Sequence, residues 1–168
     1  LTGADLTGAT LTTIVINGDT NLTSAILVGA DLGGDDLTGV DLEKADLRGA
    51  DLAGTDLETA ILTGANLGKN GDTATDLRGA TLTGAKLGKA DLSGANLGKN
   101  GDTAANLTNA DLTGAILTSA VLSDANLTGA NLTGANLSGA NLTSTVLNGA
   151  NLTGADLTGA TLTTIVIN

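Results

Sequence analysis

Leucine recurs at every fifth residue over most of this chain, and that spacing is the strongest constraint on its fold. Leucines occupy positions 22 to 67 in steps of five, then 77 to 97, then 107 to 162. Ala usually stands two residues before each leucine, Asp or Asn lies between them, and Gly commonly closes the pentad. A period of five matches neither the 3.6-residue period of an α-helix nor the two-residue alternation of a β-strand.

A chain that turns a square corner after each pentad does fit this period. In that geometry Leu and the Ala two residues before it point inward, and the other three positions face solvent. Gly suits the corner because it tolerates dihedrals that a Cβ would forbid. One turn alone cannot bury its leucines, but stacked turns form a continuous ladder, in which each buried Leu contributes roughly 1.5–3 kcal/mol relative to exposure.

The composition also favours a repetitive solenoid over an ordinary domain. None of the 168 residues is Phe, Tyr, Trp, Met, Cys, Pro or His, whereas ordinary cores use several kinds of large side chain. There is no apolar run of about 18 residues that could span a membrane. A net charge of −11 without a basic patch disfavours nucleic acid as a partner. Without His, Cys or Tyr, we expect no catalytic residues and no cofactor.

The Ala-(Asp/Asn)-Leu-X-Gly pentads resemble those of the pentapeptide-repeat family over essentially the whole chain. The resemblance implies an all-β fold, a right-handed quadrilateral parallel β-helix with four pentads per coil. We therefore expect residues 1–168 to form a single solenoid of about 8 coils, roughly 40 Å long at the β-spacing of about 4.8 Å.

Three segments with the sequence Asn-Gly-Asp-Thr interrupt the pattern. The first, residues 17–20, adds one residue to the spacing and predicts a bulge at a corner. The others, 70–73 and 100–103, place Asp72 and Asp102 where leucine belongs. A carboxylate in an apolar lumen would cost several kcal/mol, so we expect both segments to bow outward as turns, on opposite faces. Asp72 and Asp102 are also the candidate Ca²⁺ ligands, although structural turns without metal are the preferred interpretation.

An uninterrupted count of four pentads per coil predicts one nearly uncharged face that is rich in threonine. We take it as the candidate interaction face, which could pack against another solenoid or order water as ice-binding β-solenoids do. The alternative is that Thr is simply the default residue at this position and has no specific function. Its threonines are Thr23, Thr63, Thr83, Thr103, Thr143 and Thr163.

Residues 1–17 and residues 152–168 have the same sequence, LTGADLTGATLTTIVIN. The offset of 151 residues is thirty pentads and one extra residue, which we interpret as a super-repeat of a longer chain of which these residues are a fragment. Thirty is two more than a multiple of four, so the count predicts that the two copies lie on opposite sides of the solenoid. Neither end has a capping helix, and open β-edges invite association.

The sequence favours a non-enzymatic structural solenoid, part of an extracellular fibre or a self-assembling structure at the cell surface. Its expected partner is itself, through end-to-end stacking and lateral packing. Three alternatives stay open: an acidic DNA-mimic binding protein of the topoisomerase-inhibitor type, an ice-binding solenoid, and a soluble repeat protein of unassigned role. The family resemblance implies the first of these, but the chain lacks the Phe centres and terminal dimerisation helix of those relatives.

Overall fold

The computed structural model describes residues 1–11, 16 and 18–167, and these residues form a stack of four-sided coils without any helix. Nearly every pentad forms one parallel bridge to the coil above or below through the residue that precedes Leu. Most bridges join residues twenty apart, as between Asp31 and Asp51 or between Asp111 and Asn131. The right-handed quadrilateral β-helix expected from the sequence is confirmed.

Most corners are β-turns that one backbone hydrogen bond closes. The N–H of Ala50 donates to the carbonyl of Leu47 at 3.0 Å, and the same bond recurs from pentad to pentad. Gly49, the third residue of this turn, has φ of 66°, whereas Arg48 before it stays outside the left-handed region. Positive φ at the third residue alone is the pattern of a type II turn, which explains why Gly closes the pentad.

The lumen is filled by the Leu and Ala ladders that the sequence predicts. Described leucines from Leu22 to Leu142 are at most 1% exposed. Thr replaces the inward Ala at 55, 75 and 145 and is fully buried there. Each of these hydroxyls donates to a carbonyl, as Thr55 Oγ1 does to Leu32 O at 2.7 Å and Thr145 Oγ1 does to Leu122 O at 2.8 Å. A buried hydroxyl that is hydrogen-bonded in this way carries little penalty.

Replacing Leu132 with Ala should lower the free energy of unfolding by about 2–5 kcal/mol, because it leaves a cavity in a closely packed ladder. The side chain of Leu132 is 0% exposed. Replacing Thr133, whose hydroxyl lies outside and bonds to Asn131, should cost less than about 1 kcal/mol. Urea denaturation of both variants measures the difference. Equal losses would contradict the assignment of inward and outward positions.

The segments at 70–73 and 100–103 leave the coil as hairpins, as predicted. Asn70 and Thr73 exchange backbone hydrogen bonds of 2.8 and 3.1 Å around the tip Gly71-Asp72. Gly71 has φ of 60°, and Gly at the first central position is typical of a type II′ hairpin. The second hairpin contains the two regular strands of the described residues, β1 (Lys99–Asn100) and β2 (Thr103–Ala104), which pair antiparallel.

Because each hairpin lies outside the coil, its five residues occupy no face. Bridges across the hairpins span twenty-five residues, as between Asp51 and Asp76 or between Asn96 and Val121. The bridge from Thr10 to Asp31 spans twenty-one, which accommodates the single extra residue of the first Asn-Gly-Asp-Thr segment. Asn17 of that segment lies outside the described residues.

The bridges define four faces, which we name by their first bridged residue. The Asp5 face runs through Asp5, Ile26, Asp46, Asn66, Asp91, Ile116, Asn136 and Asp156. The Thr10 face runs through Thr10, Asp31, Asp51, Asp76, Asn96, Val121, Asn141 and Thr161. The Asn21 face runs through Asn21, Asp41, Ile61, Lys86, Asp111, Asn131 and Asn151. The Asp36 face runs through Asp36, Asp56, Thr81, Asn106, Asn126, Val146 and Val166.

These faces show that the two copies of the terminal sequence lie on the same sides of the solenoid. Asp5 and its copy Asp156 share one face, and Thr10 and its copy Thr161 share another. Seven coils of twenty residues, two hairpins of five and the one extra residue account for the whole offset of 151 residues. The prediction of opposite sides is wrong, because it counted the hairpin pentads as faces.

Asp35 occupies an inward position where most coils have Ala. The turn before it is regular, with the N–H of Asp35 donating to Leu32 O at 3.1 Å. Its Oδ2 is buried and, among the described residues, has no hydrogen-bond partner. Burial raises the pKa of Asp35, and the negative charge of Asp31 raises it further. Ionised Asp35 therefore destabilises the folded chain.

Replacing Asp35 with Ala should raise the free energy of unfolding at pH 7 by about 1–3 kcal/mol, because it removes an unsatisfied buried oxygen. A folded-state pKa above the ordinary value of 3.8 means that the fold favours the protonated form. The gain over the parent should therefore shrink as the pH falls through the folded-state pKa toward 3.8. Denaturation at several pH values measures it. Asp36→Asn, a change at the exposed neighbour, is the control and should have little effect; a destabilising Asp35→Ala would overturn the argument.

Candidate interaction surfaces

The six threonines of the candidate interaction face are not brought together. Thr23 and Thr63 lie on the Asn21 face, Thr83 on the Asp36 face, and Thr143 and Thr163 on the Thr10 face. Thr103 belongs to β2 of the second hairpin. A shared face is therefore wrong for this set, because each extruded hairpin shifts all later pentads by one face.

A different threonine column lies on the Asn21 face. The sequence analysis missed this column because the two hairpins lie between its two halves. The column becomes visible only when the pentads of Asp72 and Asp102 are left out of the face count, since these residues cannot point inward. The column consists of Thr2, Thr23, Thr63, Thr113, Thr133 and Thr153.

In the C-terminal part of this column, from Thr113 to Asn151, the side chains form a continuous hydrogen-bonded ladder. Asn151 Nδ2 donates to Thr133 Oγ1 at 3.0 Å, and Thr133 Oγ1 donates to Asn131 Oδ1 at 2.6 Å. Asn131 Nδ2 then donates to Thr113 Oγ1 at 2.9 Å. The hydroxyls of Thr113 and Thr133 are thus already hydrogen-bonded within the protein.

Asp and Asn before each leucine also have a local structural role. Their Oδ1 accepts the N–H of the residue two positions later, for example from Glu58 to Asp56 at 2.9 Å. At Asp5 and Asp156 that residue is Thr, and its hydroxyl lowers the pKa of the carboxyl. These carboxylates stay ionised and bonded to the turn, which is the opposite of what a general acid needs at neutral pH.

The two hairpins rest on matching corners of the coils below them. An added Cβ at Gly49 would lie 2.9 Å from Asn70 Cβ, and one at Gly79 would lie 3.0 Å from Asn100 Cβ. The pentad Asp-Leu-Arg-Gly-Ala supplies both corners and occurs nowhere else in the chain. In it Arg48 forms two hydrogen bonds to Asp46, at 2.8 and 2.7 Å, which lower the pKa of the carboxyl. Each hairpin therefore packs on a corner of this one sequence, which we call its seat.

Replacing Gly49 with Ala should destabilise the protein more than replacing Gly54 with Ala. Both glycines have positive φ, which costs an L-residue about 1–2 kcal/mol. Only at Gly49 does the new methyl also meet a hairpin, since nothing lies within 4 Å of a Cβ at Gly54. Chemical denaturation of the two variants measures the difference. Identical losses would show that the hairpin does not depend on its seat.

Asp72 and Asp102 lie at the exposed tips of separate hairpins. The hairpins project from adjacent corners of neighbouring coils, so the expectation of opposite faces is wrong for the same reason as the threonine assignment. Within residues 1–11, 16 and 18–167, no group of three or more His, Cys, Asp or Glu side chains is placed to hold a metal ion.

An open groove of about 420 Å³ runs beside the first hairpin on the Asp5 face. It exists because Gly68 carries no side chain between Arg48 and Ser93. Its carboxylate, Asp91, already accepts the N–H and hydroxyl of Ser93, at 2.9 and 2.6 Å. The groove thus holds charges of both signs but offers no pair of groups poised for catalysis.

Both end coils present open β-edges. Within the described part of the chain, the N–H groups of Leu152, Leu157 and Leu162 have no acceptor, and the N–H groups of Asp5 and Thr10 have none either. The Leu ladder is open at the same places, with Leu1 63% and Leu162 43% exposed. Such edges can pair with another chain.

Charge is unevenly distributed along the solenoid. Residues 31–58 contain nine acidic and two basic side chains, whereas residues 104–168 contain three acidic and no basic ones. In the upper coils Asn commonly replaces Asp before the leucine, as in the ladder of the Asn21 face. No helix in the described residues is long and apolar enough to cross a bilayer.

The sequence matches the family described as pentapeptide repeats, with 8 copies, over residues 18–52, 41–69, 73–98, 103–134 and 125–163. A comparison with curated proteins finds no significant match.

Among solved structures, the chain is similar to HetL, a pentapeptide repeat protein involved in heterocyst differentiation regulation from the cyanobacterium Nostoc sp. strain PCC 7120. The identity is 38% over 96% of this chain and 71% of HetL, with a TM-score of 0.56. It is also similar to QnrB1, a plasmid-mediated fluoroquinolone resistance protein, with 20% identity over 99% of this chain and 92% of QnrB1 and a TM-score of 0.52. At that identity the likeness is one of fold alone.

Proposed function

Because this chain belongs to the pentapeptide-repeat family, we propose that it is a non-enzymatic structural solenoid that assembles with copies of itself, as part of an extracellular fibre or surface structure. The observation that carries the proposal is that equivalent residues of the first and last coils lie on the same faces. Asp5 and Asp156 lie on one face and Thr10 and Thr161 on another, so a solenoid extended from either end keeps every face continuous.

The open edges supply the groups that such an extension needs. Inside the solenoid, Leu132 N–H donates to Asn151 O at 2.7 Å, and Asn151 N–H donates to Ala130 O at 2.9 Å. The unpaired N–H groups of the last coil are the equivalents of Leu132 N–H, and those of Asp5 and Thr10 are the equivalents of Asn151 N–H. Each edge therefore carries N–H donors, and the carbonyl groups of the other edge can accept hydrogen bonds from them.

The geometry of such a contact favours fibres over closed oligomers. The upper edge of one copy meets the lower edge of the next, so the contact is head-to-tail. A head-to-tail contact that does not close on itself generates an open filament. The four ladder side chains of the Asn21 face, Asn151, Thr133, Asn131 and Thr113, are uncharged and offer a short regular strip for lateral packing between such filaments.

The proposal predicts that the purified chain forms filaments whose amount rises with concentration, seen by negative-stain electron microscopy and sedimentation velocity. Leu162→Lys should abolish assembly, because it places a charge at the open end of the apolar ladder. Thr158→Lys, on the outside of the same coil, is the matched control and should leave assembly intact.

Circular dichroism of the monomer should be the same for both variants. A parent chain that stays monodisperse and monomeric up to millimolar concentration would overturn the proposal.

The acidic belt of residues 31–58 favours a second candidate, a binding protein that presents negative charge in place of DNA. Its acidic side chains lie on all four faces, for example Asp46, Asp51, Asp56 and Asp41. Inhibition of DNA supercoiling by a type II topoisomerase tests this candidate. It requires inhibition that weakens steeply with added salt and is lost when Asp51 and Asp56 are changed to Asn; no inhibition rules it out.

A further inference from the structure

The dipeptide Asn-Gly occurs four times in the chain, beginning at Asn17, Asn70, Asn100 and Asn148. Asn17 lies outside the described residues. In this dipeptide the asparagine side chain is especially open to attack by the backbone, because glycine has no side chain to shield its own nitrogen. The surroundings of each copy therefore decide whether this chemistry can occur in the folded protein.

In the coils, the backbone nitrogen that follows an asparagine is hydrogen-bonded. Leu132 N–H, which follows Asn131, donates to Asn151 O at 2.7 Å. The N–H after every other described asparagine between positions 21 and 141 also donates to a carbonyl, apart from those of the two hairpins. A nitrogen held in this way cannot attack a side chain until its contact opens.

The two hairpins leave this nitrogen free. Within the described part of the chain, the N–H groups of Gly71 and Gly101 have no acceptor, and the carboxamides of Asn70 and Asn100 have no hydrogen-bond partner. All four residues are exposed, and a Cβ added at either glycine would meet nothing within 4 Å. Each hairpin thus presents an unengaged amide beside an unengaged nitrogen, both open to water.

We propose that Asn70 and Asn100 are modification sites, at which the folded protein converts its own asparagine to aspartate and isoaspartate. The attacking group is the nitrogen of Gly71 at the first site and of Gly101 at the second. The reaction consumes water and releases ammonia, and it needs no enzyme. This inference is independent of the proposed self-assembly.

The reaction has two steps, written here for the first hairpin. The nitrogen of Gly71 gives its proton to solvent hydroxide and attacks Asn70 Cγ; the Cγ–Nδ2 bond breaks, and ammonia leaves with a proton from water. Water then adds to one of the two carbonyls of the resulting succinimide ring, and the bond from that carbonyl to the ring nitrogen breaks. Opening at Cγ gives an aspartyl residue, and opening at the α-carbonyl gives an isoaspartyl residue whose main chain runs through Cβ and Cγ.

The dipeptide Asn148-Gly149 provides a comparison within the same chain, because it lies in a corner of a coil. Asn148 is half-buried, and its carbonyl accepts the N–H of Gly129 in the neighbouring coil at 2.8 Å. Ala150 N–H closes the turn onto Leu147 O at 3.1 Å. Cyclisation has to rotate the asparagine backbone, which breaks a bond between coils here but only a local, exposed pair in the hairpins. Exposed and sparsely packed segments open at the lowest free energy, so Asn148 should react more slowly.

The isoaspartyl product does not fit the hairpin. Its main chain has an extra methylene group before Gly71, whereas the short loop of this hairpin depends on a defined turn geometry. Asn70 O, which accepts Thr73 N–H at 3.1 Å, becomes part of a charged carboxylate outside the main chain. Because Asn70 Cβ packs on the corner at Gly49, the contact with the seat is lost as well. The modified hairpin therefore gains a negative charge and separates from the coil.

Incubation of the folded chain at mildly alkaline pH, followed by peptide mapping with mass spectrometry, tests the proposal. We expect Asn70 and Asn100 to gain the mass of one amide-to-acid exchange, at a rate that rises with the hydroxide concentration. Asn148 should react at least about tenfold more slowly in the folded chain, and at a comparable rate in urea, where no hydrogen bond holds it. The proposal is overturned if Asn148 reacts as fast as the hairpins in the folded chain, or if the hairpins stay intact while the unfolded chain reacts.

Matched variants of the two seats test the structural argument. Gly49→Ala places a methyl 2.9 Å from Asn70 Cβ and should speed the reaction at Asn70 severalfold while leaving Asn100 unchanged. Gly79→Ala, whose methyl would lie 3.0 Å from Asn100 Cβ, should do the reverse. Gly54→Ala is the control and should change neither rate, because its methyl meets nothing within 4 Å. Equal acceleration at both sites by Gly49→Ala would show that the rate follows global unfolding, and would overturn the proposal.

Asn70→Gln checks the assignment of the first site. The longer side chain of Gln does not close the same ring readily, so the change at position 70 should disappear while Asn100 reacts as in the parent. A mass gain at position 70 that persists in this variant at the parent rate would contradict cyclisation through Gly71.

Discussion

Coil-to-coil stacking is the interaction on which everything else in this molecule depends. A pentad contributes one inward Leu, one inward Ala and a few backbone groups, and apart from the hydrogen bond that closes its turn these are satisfied only by neighbouring coils. Leu47 N–H needs the carbonyl of Asn66 in the next coil, and Asp46 N–H needs that of Ala25 in the coil below. Stability in such an array is a sum over neighbours. Each coil therefore depends on a neighbouring coil on either side, and the proposed self-assembly would give the first and last coils of residues 1–168 that neighbour.

The corners decide how much variation this stacking tolerates. At most corners a type II turn fixes the direction of the chain after Leu. After Leu67 and Leu97 a hairpin takes the place of this turn, and the next face is not disturbed. The first hairpin does so with Gly49 beneath it, where Asn70 approaches too closely for any side chain. Thr75, just after it, donates to Gly68 O and Leu47 O and accepts from Gly49 N–H. The hairpin interrupts the sequence pattern while the ladders continue.

The fold could be predicted from the sequence almost completely, because the five-residue period and the inward Leu and Ala report directly on local geometry. The composition of the faces could not, because the period does not say whether a given pentad occupies a face. Asp72 held that information, since a carboxylate in the lumen is too costly. The sequence analysis used this cost to predict that the segment turns outward, but it still counted the segment as a face. The count therefore put Thr83 and Thr143 on one side, whereas the structure separates them. Asp35 is a different case. An intact turn holds its carboxyl inward, and the energetic cost of its unpaired Oδ2 is seen only in the structure.

The outer surface reflects the same stacking at the side-chain level. Residues before each Leu lie above one another at the β-spacing of about 4.8 Å, so a column of Asp places residues of like charge on neighbouring coils, as for Asp31 and Asp51. Asn at the same positions removes that repulsion and adds a donor, which Asn151 uses to reach Thr133 in the coil below. The Asp columns of the N-terminal coils therefore carry repulsion that salt would screen, while the C-terminal coils contain cross-coil hydrogen bonds. Residues 31–58 carry nine acidic side chains and residues 104–168 carry three, so a head-to-tail junction keeps the acidic belts of neighbouring copies apart. A head-to-head junction would bring the two belts towards each other, which disfavours it and supports a single direction of growth.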